Sequence, residues 1–169
     1  LEETEAYAER GNVVAEAAHM QEYIGANLSN LAWVAWRRGD AVMAEQLVQA
    51  ALAAWQQYAL PYPFYWQGLL PVLAISLERN NVKQAVDYAQ LLVDPKQLRL
   101  PAPIEALLVE AIDAWNACAP DGVSQALTAA LTARTGVRAR PRSPSLARMA
   151  RVASKPSISG MWQSMSIKS

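Results

Sequence analysis

Apolar positions recur at helical spacing through most of the chain, and most clearly over residues 26–61, ANLSNLAWVAWRRGDAVMAEQLVQAALAAWQQYALP. Leu28, Leu31, Ala32, Ala35 and Trp36 line one face of a 3.6-residue helix. Ala44, Leu47, Val48, Ala51, Leu52 and Trp55 line a second. Gly39-Asp40 separates the two: glycine accepts the left-handed backbone that closes a helix, and aspartate can cap the next one. Pro61 ends the unit, because a proline inside a helix removes a hydrogen bond and clashes with the preceding turn. The pattern predicts a helical hairpin.

The same grammar extends in both directions. Residues 2–10 read as the end of a helix closed by Gly11-Asn12, and residues 13–38 as one long helix with Gly25 and Asn27 as bending points. Residues 58–66, YALPYPFYW, form an aromatic connection held extended by Pro61 and Pro63, with its rings expected to plug the seam between hairpins. A second hairpin aligns at an offset of 41: Ala85 falls on Ala44, Leu73 on Ala32, Leu92 on Ala51, and Asn80-Asn81 on Gly39-Asp40. Asparagine is the next-best left-handed residue after glycine, so the turn is chemically preserved. Pro71 is expected to kink the first helix of this pair or to mark its start. A third, weaker unit aligns at an offset of 79: Ala111 on Ala32, Trp115 on Trp36, Leu127 on Val48 and Ala130 on Ala51, with a turn over residues 118–122.

Small residues mark the helix contacts. Ala32 should face Ala44 and Ala51, because contact side chains set how closely two helices approach. Together with Gly39-Asp40 and the flanking Leu31, Leu47 and Leu52, these positions resemble the tetratricopeptide repeat, although Ala32 stands where that family usually has Gly. The resemblance implies an all-α fold over residues 1–133, a TPR-like right-handed solenoid of about three hairpins. The elongated repeat and the loop Asp94, Pro95, Gln97, Arg99, Leu100, Pro101 are also similar to the C-terminal repeat region of bacterial multidomain signalling proteins. Those proteins join a nucleotide cyclase or DNA-binding module to a signalling ATPase. That likeness implies a sensor, scaffolding or oligomerisation segment in the cytoplasm, with self-association as one mode and none of the parent chemistry in this chain.

Charge divides the chain in two. Residues 1–121 hold all 15 acidic residues and 7 of the 15 basic ones, a net −8; residues 122–169 hold the other 8 basic residues and no acid, a net +8. Residues 134–169, rich in Arg, Ser and Pro, read as a basic disordered tail, in which residues 146–152 could form a short helix on an acidic partner. A hydrophobic content of 53% suffices for a core, and a mean hydropathy of +0.01 with no long apolar run argues against a membrane span. The acidic opening LEETEAYAE carries no signal-peptide pattern. The chain lacks an initial Met and opens inside a helix-like pattern, which is expected of a piece of a longer protein.

Candidates for chemistry are few. Glu16, His19 and Glu22 are spaced to share a helical face, but one helix makes a poor metal cage, and no metal or other cofactor is expected. No phosphate loop, nucleophile elbow or His-Glu-x-x-His occurs, so no catalytic residues are assigned and an enzyme is not expected. Cys118, the one cysteine, reads as a small buried residue. The inner face of the stack should carry Ala26, Ser29, Asn30, Trp33 and Arg37 from the first hairpin. From the second it should carry Gln67, Leu70, Pro71, Ala74 and Glu78. Asn30, Trp33, Arg37 and Gln67 are the expected binding residues for a protein or peptide partner, with Trp33 as apolar anchor and Arg37 for a carboxylate or carbonyl. The rival is nucleic acid held by Arg134, Arg138, Arg140, Arg142, Arg148, Arg151 and Lys155; without interleaved aromatics these would give only non-specific electrostatic contact.

Overall fold

A computed structural model describes residues 1–57 and 62–135. Their regular elements are all helices: α1 (Glu2–Ala17), α2 (Gln21–Arg38), α3 (Ala41–Trp55), α4 (Trp66–Glu78), α5 (Val82–Leu92), α6 (Ala102–Asn116) and α7 (Pro120–Thr135). None is long and apolar enough to cross a membrane. The basic tail from residue 136 onward and Tyr58 lie outside the described residues, as do the readings of disorder and of a short helix made for that tail.

One backbone device closes four of the helices. Gly39 takes φ 87°, and His19, Asn80 and Cys118 take φ 55°, 58° and 58°. In each case the left-handed residue donates its N–H to the carbonyl three residues back. The next residue donates to the carbonyl five back: Gly39 to Trp36 and Asp40 to Ala35, Asn80 to Leu77 and Asn81 to Ser76, Cys118 to Trp115 and Ala119 to Ala114, His19 to Glu16 and Met20 to Ala15. These are Schellman turns, which satisfy the orphan carbonyls of a helix end. Asn80 and Cys118 follow Gly39 by 41 and 79 residues, the two offsets of the hydrophobic pattern. Asp40 and Asn81 then cap α3 and α5 by accepting from the N–H of Met43 at 2.9 Å and Gln84 at 3.2 Å.

The first turn of the chain departs from expectation. The predicted closure at Gly11-Asn12 is not there; α1 runs through both residues and ends at Ala17, so residues 13–38 are two helices. Histidine, not glycine, makes the left-handed break, and composition gave no sign of it. Gly11 serves a different purpose: a Cβ there would lie 2.9 Å from Asn27 Oδ1, so its absence lets α1 press onto α2.

Each hairpin buries small residues along its seam. Ala32, Ala44, Val48 and Ala51 are fully buried, and so are Leu73, Ala85 and Ala89 in the second hairpin and Ala111, Val123 and Leu127 in the third. Of the aligned positions, Leu92 and Ala130 are buried too, whereas Leu47, Leu52 and Trp115 are only partly so. Pro71 lies well inside α4 rather than at its start.

Trp55 joins three helices. Its indole is fully buried, its Nε1 donates to the carbonyl of Glu22 at 3.1 Å, and it covers Gly25, where a Cβ would come within 2.2 Å of Nε1. Gly25 therefore makes room for the ring and does not break α2. Tyr62 and Tyr65 stack on Trp55 with centroids 4.6 and 5.4 Å away, so the aromatic connection does fill a seam. Gln97 holds that connection in place: its Oε1 accepts from the N–H of Tyr65 and its Nε2 donates to the carbonyl of Tyr62, both at 3.1 Å. The loop that carries the sequence likeness is thus occupied structurally. Asp94 accepts from the N–H of Lys96, Leu100 is buried, Arg99 pairs with Glu105, and Pro101 precedes α6.

Stacking between hairpins is regular at first and then changes. α4 packs on both α2 and α3. The third hairpin does not repeat this: α6 packs on α5, α7 packs on α5 and α4, and among the described residues α6 does not reach α4. The second helix of the last pair, not the first, covers α4. Arg134 marks the contact, with its guanidinium 4.5 Å from the ring centre of Trp66.

Candidate interaction surface on the first hairpin

α2 presents Ala26, Asn30, Trp33 and Arg37 at intervals of four, three and four, one stripe of a helix. Asn30 and Arg37 are exposed, and Ala26 and Trp33 are half-buried. Trp33 meets Trp36 edge-on, with centroids 5.0 Å apart and planes at 64°. The Arg37 guanidinium lies 5.8 Å from the Trp33 ring centre. Trp36 is itself buried and its Nε1 reaches Glu78 Oε1 on α4 at 3.4 Å. Trp33 is therefore braced by a neighbour that is fixed in turn, and a braced ring loses little rotamer freedom when a ligand covers it.

Electrostatically the surface is mixed. Arg37 supplies an exposed positive charge and Glu78 an exposed negative one. Arg38, the adjacent cation, faces another way and pairs with both oxygens of Glu5 on α1. The hydrogen bonds from Arg38 hold the Glu5 carboxyl below its ordinary value of 4.5, against a smaller opposing effect of desolvation.

Gln67, the fourth expected binding residue, lies in the first turn of α4. It is half-buried and its Oε1 is buried without a hydrogen-bond partner among the described residues. Beside it Gly68 meets Ser29, whose Oγ would lie 3.2 Å from a Cβ at Gly68. Asn30 and Gln67 thus flank the Ser29–Gly68 contact between α2 and α4, and Trp33 and Arg37 lie further along α2.

The broad inner groove predicted from the sequence is not open. Ser29 is buried with its hydroxyl donating to the Gly25 carbonyl at 2.9 Å, and Leu70, Pro71 and Ala74 are buried as well. α4 packs against α2, α3, α5 and α7, and Glu78 at its C-terminal end is its one exposed residue. Two chemical expectations also change. His19 breaks the helix in which Glu16 and Glu22 were to share its face, and Glu16 accepts from Asn12 at 2.6 Å. Cys118 is exposed, because the left-handed turn carries it out of the core. Among the described residues no group of three or more His, Cys, Asp or Glu is placed to hold a metal. The arginines of the proposed nucleic-acid contact, apart from Arg134, lie outside the described residues.

Glu78 was expected on this face, but Trp36 and its hydrogen bond to Glu78 were not. A signal existed, since Glu78 follows Trp36 by 42 residues, one more than the hairpin offset, which places the two at equivalent ends of adjacent helices. No protein-family profile, curated protein or solved structure matches the chain.

Proposed function

We propose that the chain is a non-catalytic interaction module, a tetratricopeptide-like stack of helical hairpins that binds a protein or peptide segment on the exposed stripe of α2. The observation that carries this is Trp33, half-buried, set edge-on against Trp36 and faced by the exposed Arg37. An aromatic ring and a guanidinium on rigid backbone are the residue types that dominate binding energy at protein interfaces. In this reading Trp33 takes an apolar side chain of the partner, and Arg37 a carboxylate or backbone carbonyl. Asn30 adds polar contacts, and Gln67, half-buried at the start of α4, borders the stripe with its Oε1 turned inward. Support for the repeat assignment comes from the turns at Gly39, Asn80 and Cys118 in register with the buried seams. A scaffolding or sensor role within a larger signalling regulator, in the cytoplasm, follows from the likeness of the 94–101 loop and the elongated repeat.

The test is capture of partners from the source cell on immobilised wild-type chain, Trp33→Ala and Arg37→Ala, with each captured protein quantified by mass spectrometry. Specific partners should be lost from both variants together. Retention of every partner by both variants would remove the function from this surface. Self-association is read separately by sedimentation.

A further inference from the structure

The last hairpin leaves one helix face uncovered. α6 contacts only α5 and α7 among the described residues. Its remaining face carries Ala102, Glu105, Ala106, Val109, Glu110 and Asp113, which line an open concavity of about 770 Å³. Ala102, Ala106 and Val109 make a shallow apolar floor that permits close approach of another chain, and Val109 is 42% exposed. Glu105 is engaged by Arg99. Glu110 and Asp113 are exposed and have no hydrogen-bond or ion-pair partner among the described residues, so the face carries two uncompensated negative charges one helical turn apart.

We propose that this face is the docking site for the chain's own basic segment, residues 138–142, Arg-Ala-Arg-Pro-Arg. Charge complementarity selects the occupant: residues 122–169 contain 8 basic residues and no acid, whereas the α6 face is acidic. The position of the chain supports it. The Cβ of Ala114 lies 3.4 Å from the place a Cβ would take at Gly122, so α7 folds straight back along α6. The last residues of α7 therefore lie at the level of Ala102 along α6. From Ala102 to Asp113 is about 17 Å of helix axis, and six extended residues span roughly 20 Å, so Arg138, Arg140 and Arg142 reach Glu110 and Asp113 without slack. In an extended run these three alternate residues point to one side, which sets all three toward the carboxylates. The docked segment occupies the far hairpin and leaves the Trp33 stripe free. This contact is therefore independent of the binding role proposed above.

Limited trypsin digestion of the full chain tests the proposal. The rate of cleavage at Arg142–Ser143 is measured in the chain and in a synthetic peptide of residues 136–155, and their ratio removes the effect of salt on the protease. Two exposed ion pairs should protect the bond in the chain by roughly three- to tenfold at about 20 mM NaCl. Protection should vanish at about 0.5 M NaCl, where screening is strong. It should also vanish at low salt in Glu110→Gln/Asp113→Asn, whose helical melt reports that the fold is retained. The salt arm needs no variant. Equal cleavage of chain and peptide at low salt overturns the proposal, as does protection that survives both salt and substitution. Protection that rises with protein concentration would assign the segment to a second copy and overturn docking within one chain.

Discussion

Adding one methyl group at Gly25 should reverse its effect on stability according to what stands at position 55. A Cβ at Gly25 would lie 2.2, 2.4 and 2.7 Å from Nε1, Cε2 and Cδ1 of Trp55. The indole cannot swing into solvent, because it is fully buried, stacked with Tyr62 and Tyr65 and bonded to the Glu22 carbonyl. Overpacking of this kind costs about 1–3 kcal/mol, and loss of the indole hydrogen bond about 1 kcal/mol more. Against this, alanine is better than glycine inside a helix by about 0.8–1 kcal/mol. The net prediction for Gly25→Ala is destabilisation by about 2 kcal/mol, or a drop in melting temperature of roughly 4–8 °C for a chain of this size. In a Trp55→Leu background the clash is gone and only the helix preference remains, so the same substitution should stabilise by up to about 1 kcal/mol. Urea melts of the four proteins, followed by circular dichroism, give the coupling directly. Equal destabilisation by Gly25→Ala in both backgrounds would refute the role assigned to this contact.

Other outcomes follow from the turns, the seams and the α1–α2 ion pair. Cys118→Gly should raise stability by about 1 kcal/mol in a thermal melt, because residue 118 adopts φ 58° and a side chain there is strained. A loss of stability would show the turn to be relaxed with its cysteine. Ala44→Leu should destabilise by about 1–3 kcal/mol, since Ala44 is fully buried in the α2–α3 seam, and an unchanged melt would count against a tight seam. Glu5, its carboxyl lowered by Arg38, contributes stability that is present above the ordinary value of 4.5 and lost as pH falls below it. The difference in melting temperature between wild type and Arg38→Gln should therefore be larger at neutral pH than in acid; a difference that does not change with pH would remove this pair from the acid response.

The hairpins were legible because their signals are local. Period, small residues at Ala32, Ala44 and Ala51, and the Gly39-Asp40 turn all act within a few residues, and the pattern carried into the next two units. What escaped was set by the fold as a whole. His19 takes a left-handed backbone in a stretch with no glycine or proline to mark it, so two helices read as one. Gly11 and Gly25 looked like interruptions, but each admits a side chain from elsewhere, Asn27 and Trp55. The groove was misjudged because it depends on how α4 packs on α2, α3, α5 and α7 together, and nothing along α6 or α7 says which of them will reach α4. At the candidate surface, the Trp33–Arg37 pair could be read from spacing on a single helix, whereas the brace from Trp36 to Glu78 depends on two helices meeting.

The interaction role can be tested most directly by following affinity and stability in the same Trp33→Ala variant. Its dissociation constant for a captured partner is measured by titration calorimetry, and its unfolding free energy by urea melt. Trp33 is half-buried and next to an exposed arginine, so the substitution should weaken binding by about 2 kcal/mol, close to 30-fold, and cost less than that in stability. Unchanged affinity together with a stability loss of about 3–5 kcal/mol, the range for a core tryptophan, would contradict the account and make Trp33 part of the scaffold.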